Sequence, residues 1–228
     1  MALALTMLAV HGLDVDVEQY GAVACTGLSQ AQACKLSTRG FDAAIAAVST
    51  AGGGIVHAKG PGYYKTAAVE MKSNVRLVIY AGASVNASHN LSDWSERAIA
   101  VPECAASHPN SPSPTQVLGG LFFASLATNF SIAGPGAVNG AAAAWNHADD
   151  PTNFGGLSRC NMFIFSRCSD VVVEDLLIQD SSEWTLNPMY SKRLSFRRLR
   201  IDAPALGSHG RNVTQRDSNS QSPDTTRP

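Results

Sequence analysis

The sequence predicts an all-β fold, a solenoid of short parallel strands with one short helix ahead of it. Residues 170–178 (DVVVEDLLI) overlie residues 193–201 (RLSFRRLRI) at an offset of 23, so Val171 matches Leu194, Val173 matches Phe196, Leu176 matches Leu199 and Ile178 matches Ile201. One such turn cannot bury its own apolar face. A constant offset with no helix between the strands is what stacked coils require. In composition, 19 glycines and 11 prolines beside 7% aromatic residues favour short strands and many turns over a helical bundle. Charged residues are 15% of the 228, against about 25% in an average soluble chain, so the chain is poor in charge and long enough for a sizeable core.

Each element follows in order. Met1–Val10 resembles a short signal h-region but lacks a basic n-region and a small-x-small cleavage site. Residues 1–12 therefore read as a degraded signal segment or as an ordinary first strand. Residues 14–23 alternate and then turn at Gly21, a strand entering a loop. Phe41, Ile45 and Val48 make one apolar stripe, predicting a helix over 41–50 that the glycines at 52–54 terminate. Ile55–Ala58 is a strand and Gly60–Gly62 a turn. Strands follow at 74–80, 129–132, 170–178 and 193–201, each opening on a polar residue (Asn74, Asn129, Asp170, Arg193). Their irregular intervals fit coils with inserted loops, the longest at Ser88–Pro114. The coils are assigned to residues 13–204. Residues 205–228 are almost all polar and are expected to be a disordered tail.

A net charge of −1 leaves no basic surplus for a phosphate backbone, so nucleic acid is not an expected partner. The basic cluster Lys192, Arg193, Arg197, Arg198 and Arg200 alternates with apolar residues, as the outward face of a strand would. No run of about 18 apolar residues is present to span a membrane. Of five cysteines, Cys25 with Cys34 and Cys160 with Cys168 are near enough to close short loops, leaving Cys104. Buried reduced thiols are the alternative. The tripeptides at Asn86, Asn90, Asn129 and Asn212 have the form of glycosylation sequons.

Several motifs occur in order: EQYGAV (18–23), FDAAIAAV (41–48), GGGIVH (52–57) with GPGYY (60–64), KSNVRL (72–77) with AGAS (81–84), FSIAGPGAVNG (130–140) with Trp145, and SEWTLNP (182–188). Jointly, over residues 17–204, they resemble the start of the family 28 glycoside hydrolases, the polygalacturonases. The resemblance implies a right-handed single-stranded parallel β-helix of the pectin-lyase-like type, incomplete here, with helix 41–50 capping its first coil. It also implies a pectin-type polysaccharide as substrate and an extracellular or cell-wall location. The chain is expected to be a monomer, prone to aggregate at an open C-terminal coil, with no cofactor and no metal.

Inverting glycoside hydrolysis needs an acid to protonate the leaving oxygen and a carboxylate base about 6.5–9.5 Å away to activate water. The family carries these groups in Asn-Thr-Asp, Asp-Asp and His-Gly motifs followed by Arg-x-Lys. The first is expected just past Pro204, where the sequence reads Asn212-Val213-Thr214, with a hydroxyl in place of the carboxylate. The other motifs have no counterpart in order. Asp149-Asp150 sits in a loop pattern, His209-Gly210 precedes the Asn motif, and His57, His89 and His147 show no metal spacing and read as exposed residues. No catalytic residue is therefore assigned. Asp180 and Glu183, flanking Ser181-Ser182 on the preceding coil, are the fallback candidates for lining a sugar groove, against a solvated corner. Trp184 reads as a packed corner. The competing function is a non-catalytic β-helix that at most binds polysaccharide.

Overall fold

The computed structural model describes residues 12–26, 34–88, 90–94, 98–100, 116–118, 120–142, 161–182 and 184–202. The suggested signal segment and the polar tail lie outside these residues, apart from Gly12.

The chain opens with β1 (Leu13–Asp16), a 3-10 turn at Val17–Tyr20, and Gly21 at φ 92°. Helix α1 (Thr38–Thr50) follows, starting three residues before the apolar stripe does. The first full coil is β2 (Gly54–Ala58), β3 (Gly62–Thr66) and β4 (Val69–Glu70). The next holds β5 (Val75–Ile79), β6 (Ala83–Ala87) and, beyond an insertion, β9 (Phe122–Ser125). Within that insertion β7 (Ala98–Ala100) and β8 (Gln116–Leu118) pair antiparallel. The third coil is β10 (Thr128–Ala133), β11 (Ala137–Asn139) and β12 (Phe163–Ser166). The fourth is β13 (Ser169–Glu174), β14 (Leu177–Gln179) and β15 (Leu186–Met189). The last described strands are β16 (Lys192–Arg197) and β17 (Arg200–Asp202).

These stack into three parallel sheets. Sheet A runs β1-β2-β5-β10-β13-β16, sheet B β3-β6-β11-β14-β17, and sheet C β4-β9-β12-β15. The fold is a right-handed parallel β-helix. Its core is built from inward rows, one residue per coil, such as Val15, Val56, Leu77, Ile132 and Val173 on sheet A. On sheet C, Phe122 stacks on Phe163 with ring centroids 5.6 Å apart. Helix α1 buries Phe41, Ala44, Ile45 and Val48 and packs against β1, β2 and β4, the strands that begin sheets A and C. It closes the N-terminal end of the core, where an exposed first coil would otherwise leave apolar surface in water.

The offset of 23 is confirmed residue for residue: Val171 pairs Leu194, Val173 pairs Phe196, and Ile178 pairs Ile201. The runs 170–178 and 193–201 are each two strands on different sheets, however. Asp175 and Arg198, at φ 63° and 51°, turn the chain between them. Left-handed residues recur at matched positions: Asn74, Asn129, Asp170 and Arg193 at the start of sheet A, and Leu126, Arg167 and Tyr190 between sheets C and A. Asn and Asp tolerate this region, and Asn129 Nδ2 donates to Asn74 Oδ1 across the coils at 2.9 Å.

The same offset sets charge against charge. Arg193 donates Nε and Nη2 to Asp170 at 2.6 and 2.7 Å, Arg197 Nε to Glu174 at 2.7 Å, and Arg198 to both Asp175 and Glu174. The arginine hydrogen bonds hold all three carboxyls below their ordinary range, Asp170 at about 2. The basic cluster lies outward, as expected, and three of its members, Arg193, Arg197 and Arg198, clamp one coil to the next.

Cys25 and Cys34 form a disulfide with Cα atoms 6.0 Å apart. Cys168 is buried and free, and burial pushes its thiol pKa up. Cys104 and Cys160 lie outside the described residues. Among the described residues no helix is long and apolar enough to cross a membrane.

Candidate functional site

The corner between sheets B and C carries the one fallback candidate that the described residues include. Asp180 follows β14 in a left-handed conformation, φ 50°. Its backbone is tied to both neighbouring coils: its N–H donates to the Asp202 carbonyl at 3.2 Å, and its carbonyl accepts from Ala142 at 3.1 Å. A Cβ on Gly140 would lie 2.5 Å from that carbonyl, so only glycine lets the coils approach there. The Asp180 carboxylate accepts from Asn139 Nδ2 at 3.3 Å. Asn139 in turn caps the corner by accepting from the Ala141 N–H at 2.7 Å.

Around this carboxylate the outward row of sheet B stacks Asn86, Asn139, Gln179 and Asp202, one per coil. The row supplies three amides and one carboxylate at the strand spacing of about 4.8 Å along the solenoid axis. Among the described residues the Asp202 carboxylate has a single long ion pair, 3.8 Å, to Arg200. It lies on the coil beyond Asp180, and sequence reasoning missed it. The signal was available, since Asp202 stands 23 residues after Gln179 in the repeat already recognised.

Trp184 corrects the sequence reading. It is 66% exposed, where a packed corner was expected. Its backbone carbonyl accepts from the Met162 N–H at 3.0 Å. At the far end of β15 Tyr190 is also exposed. An exposed ring in the connection that follows such a row can cover the apolar face of a sugar while the amides and carboxylates take its hydroxyls.

The remaining candidates are not brought here. Glu183, Asp149, Asp150, His89, His147, His209 and Asn212–Thr214 lie outside the described residues. His57, expected to be exposed, is half-buried on the outer face of sheet A, paired through Nε2 to Asp14 and through Nδ1 to the Tyr80 hydroxyl at 2.9 Å. Its outward position on β2 brings it under these two neighbours. Among the described residues no group of three His, Cys, Asp or Glu side chains could hold a metal ion.

No protein-family model matches the chain, and no curated protein does. Solved structures do. A hyperthermoactive exopolygalacturonase from Thermotoga maritima superposes with a TM-score of 0.64 at 17% identity, over 86% of this chain and 48% of the other. The family 28 exopolygalacturonase of Yersinia enterocolitica gives 0.62 at 16%, over 83% and 39%. The fold is polygalacturonase-like. An inferred glycosyl hydrolase from Parabacteroides merdae also matches, with a TM-score of 0.64 at 19% identity over 83% of this chain and 75% of that one. At such identities the likeness is one of fold. This polygalacturonase-like chain spans less than half the length of the two exopolygalacturonases.

Proposed function

We propose that the chain is a pectin-recognising β-helix of polygalacturonase type and that its B–C corner faces the polysaccharide. The observation that carries this is the Asn139–Asp180 hydrogen bond, with exposed Trp184 in the same connection from β14 to β15, on a fold shared with two exopolygalacturonases. The A–B–C order of the coils gives the corner further weight. A strand following β17, where the family places its Asn-Thr-Asp, would turn through the same corner. The chain carries Val213 and Thr214 in that motif, and a hydroxyl of ordinary acidity cannot act as the acid or base of glycoside hydrolysis. The reading is therefore recognition without hydrolysis in the chain as written. A pectin partner and the Cys25–Cys34 disulfide favour an extracellular or cell-wall location.

Affinity electrophoresis through polygalacturonate tests it. Retardation of the purified chain, weakened by Trp184→Ala and by Asp180→Ala, is expected, together with no release of reducing ends. Mobility unaffected by polygalacturonate overturns recognition. Steady, heat-sensitive reducing-end release overturns the absence of hydrolysis and makes Asp180 and Glu183 the first residues to replace.

A further inference from the structure

A groove of about 280 Å³ runs over the outer face of sheet A, away from the B–C corner. Its walls include Gly54, Asn74, Arg76, Asn129, Ser131 and Val172. Strands β5 and β10 bring Arg76 beside Ser131, and Ser131 beside Val172 on β13, in one outward row. Asn74 and Asn129 are left-handed and bonded to each other through one amide hydrogen. The Asn74 NH2 and the Asn129 carbonyl thus have no partner among the described residues, nor does the Ser131 hydroxyl.

Charge decides the ligand. Asp170 also lines the groove, but Arg193 holds it in a two-pronged ion pair that cancels its field. Arg76 is not cancelled in this way. Among the described residues its nearest paired carboxylate oxygen is Glu174 Oε1 at 3.9 Å, while Glu174 Oε2 already accepts from Arg197 at 2.7 Å and Arg198 at 2.6 Å. The Arg76 side chain is 51% exposed. The groove therefore offers one under-neutralised guanidinium, a hydroxyl, two amide groups and the apolar side chain of Val172.

We infer that this groove binds one carboxylated sugar, a hexuronate. Arg76 takes the carboxylate through its planar fork, Ser131 and the two asparagines take ring hydroxyls, and Val172 meets the apolar ring face. The volume is just under the about 300–1,000 Å³ of drug-sized sites, which suits a single sugar unit. The site is separate from the B–C corner, and the proposed function supplies only the choice of galacturonate as probe.

Nuclear magnetic resonance or calorimetric titration of the intact chain with galacturonic acid, and in parallel with galactose, tests it. Binding on the order of millimolar is expected, with galactose about tenfold weaker because it lacks the anion. Arg76→Gln is expected to weaken galacturonate about tenfold, and Arg76→Lys less, because Lys keeps charge but not the fork. Ser131→Ala serves as the milder variant if Arg76→Gln fails to fold, and is expected to weaken binding about threefold. Trp184→Ala leaves this titration unchanged while weakening polygalacturonate retardation, so the two sites fail separately. No galacturonate binding, equal binding of galactose, or binding that survives Arg76→Gln (or Ser131→Ala in its place) overturns the inference.

Discussion

Replacing Ile132 by alanine tests the stacked core most directly. Ile132 is wholly buried on sheet A, paired with Leu77 on one side and Val173 on the other, and both are themselves wholly buried. The change removes three carbons, each contributing about 0.8 kcal/mol of burial, or about 2.4 kcal/mol together. The cavity left between two fixed coils adds about 1–2 kcal/mol at about 24 cal/mol per Å³. A loss of about 3–4 kcal/mol lowers the melting temperature by about 6–16 °C in a chain of this size. Phe196 occupies the same inward row on the last described coil, covered by Val173 from one side and only partly buried. A cavity open on one side collapses more easily, so Phe196→Ala is expected to cost about 1–2 kcal/mol, below the about 3–5 kcal/mol of a core phenylalanine. Urea unfolding of both variants gives the ranking. Hydrogen exchange then places the Ile132→Ala effect in β5, β10 and β13, and that of Phe196→Ala in β16 and β17. If Phe196→Ala costs as much as Ile132→Ala, the row is not graded from coil to coil as stacking requires.

Four further outcomes are expected. Glu174→Gln lowers stability at neutral pH, because it weakens the bonds from Arg197 and Arg198. The native pKa of Glu174 is depressed, so its contribution is present above the unfolded value of about 4.3. It fades as pH falls through the native value, and a wild-type advantage as wide at pH 2 as at pH 7 would sink this account. Gly134→Ala places a Cβ 2.3 Å from the Ile79 carbonyl at φ 116°, and is expected to cost at least about 1–3 kcal/mol in thermal unfolding. Thiol titration of the unfolded, unreduced chain should leave Cys25 and Cys34 unreactive and find Cys168 free; all five cysteines reacting would exclude the disulfide. Ile201, 41% exposed on the last described strand of sheet B, is expected to promote association, and Ile201→Lys should reduce concentration-dependent light scattering. Unchanged scattering would place the sticky surface elsewhere.

The inward half of this fold is legible in the sequence because burial is selective. Val171, Val173 and Ile178 must be apolar wherever coils stack, and their copies at Leu194, Phe196 and Ile201 expose the period. The corners are less legible. A turn between sheets needs one left-handed residue, and here Leu126, Arg167, Tyr190 and Arg198 supply it without the glycine or asparagine that would mark it. Two strands joined by such a residue read as one, which is why 170–178 and 193–201 each looked continuous. The exposure of Trp184 is illegible for a related reason. Indole is apolar enough to suggest burial, but its exposure depends on which coil lies over it, and no local pattern carries that information.

The charges show what the period alone conceals. Asp170, Glu174 and Asp175 on one coil face Arg193, Arg197 and Arg198 on the next, so the repeat that matches apolar residues inward also matches opposite charges outward. A slip of one residue between these coils would turn the apolar row outward and separate every pair, so both patterns specify the same register. The same pairing narrows the chemistry. A carboxylate gripped by arginine and held below its ordinary range has no proton to give at neutral pH and little basicity to offer. That removes three of the five described acids on these two coils from acid–base roles. Asp180, whose partner is an amide, and Asp202, with its long ion pair, remain. Asp180 stands in the B–C connection that also carries Trp184, and Asp202 ends β17 one coil on, so the arginine pairs that stabilise sheet A leave these two acids on the corner proposed to face the polysaccharide.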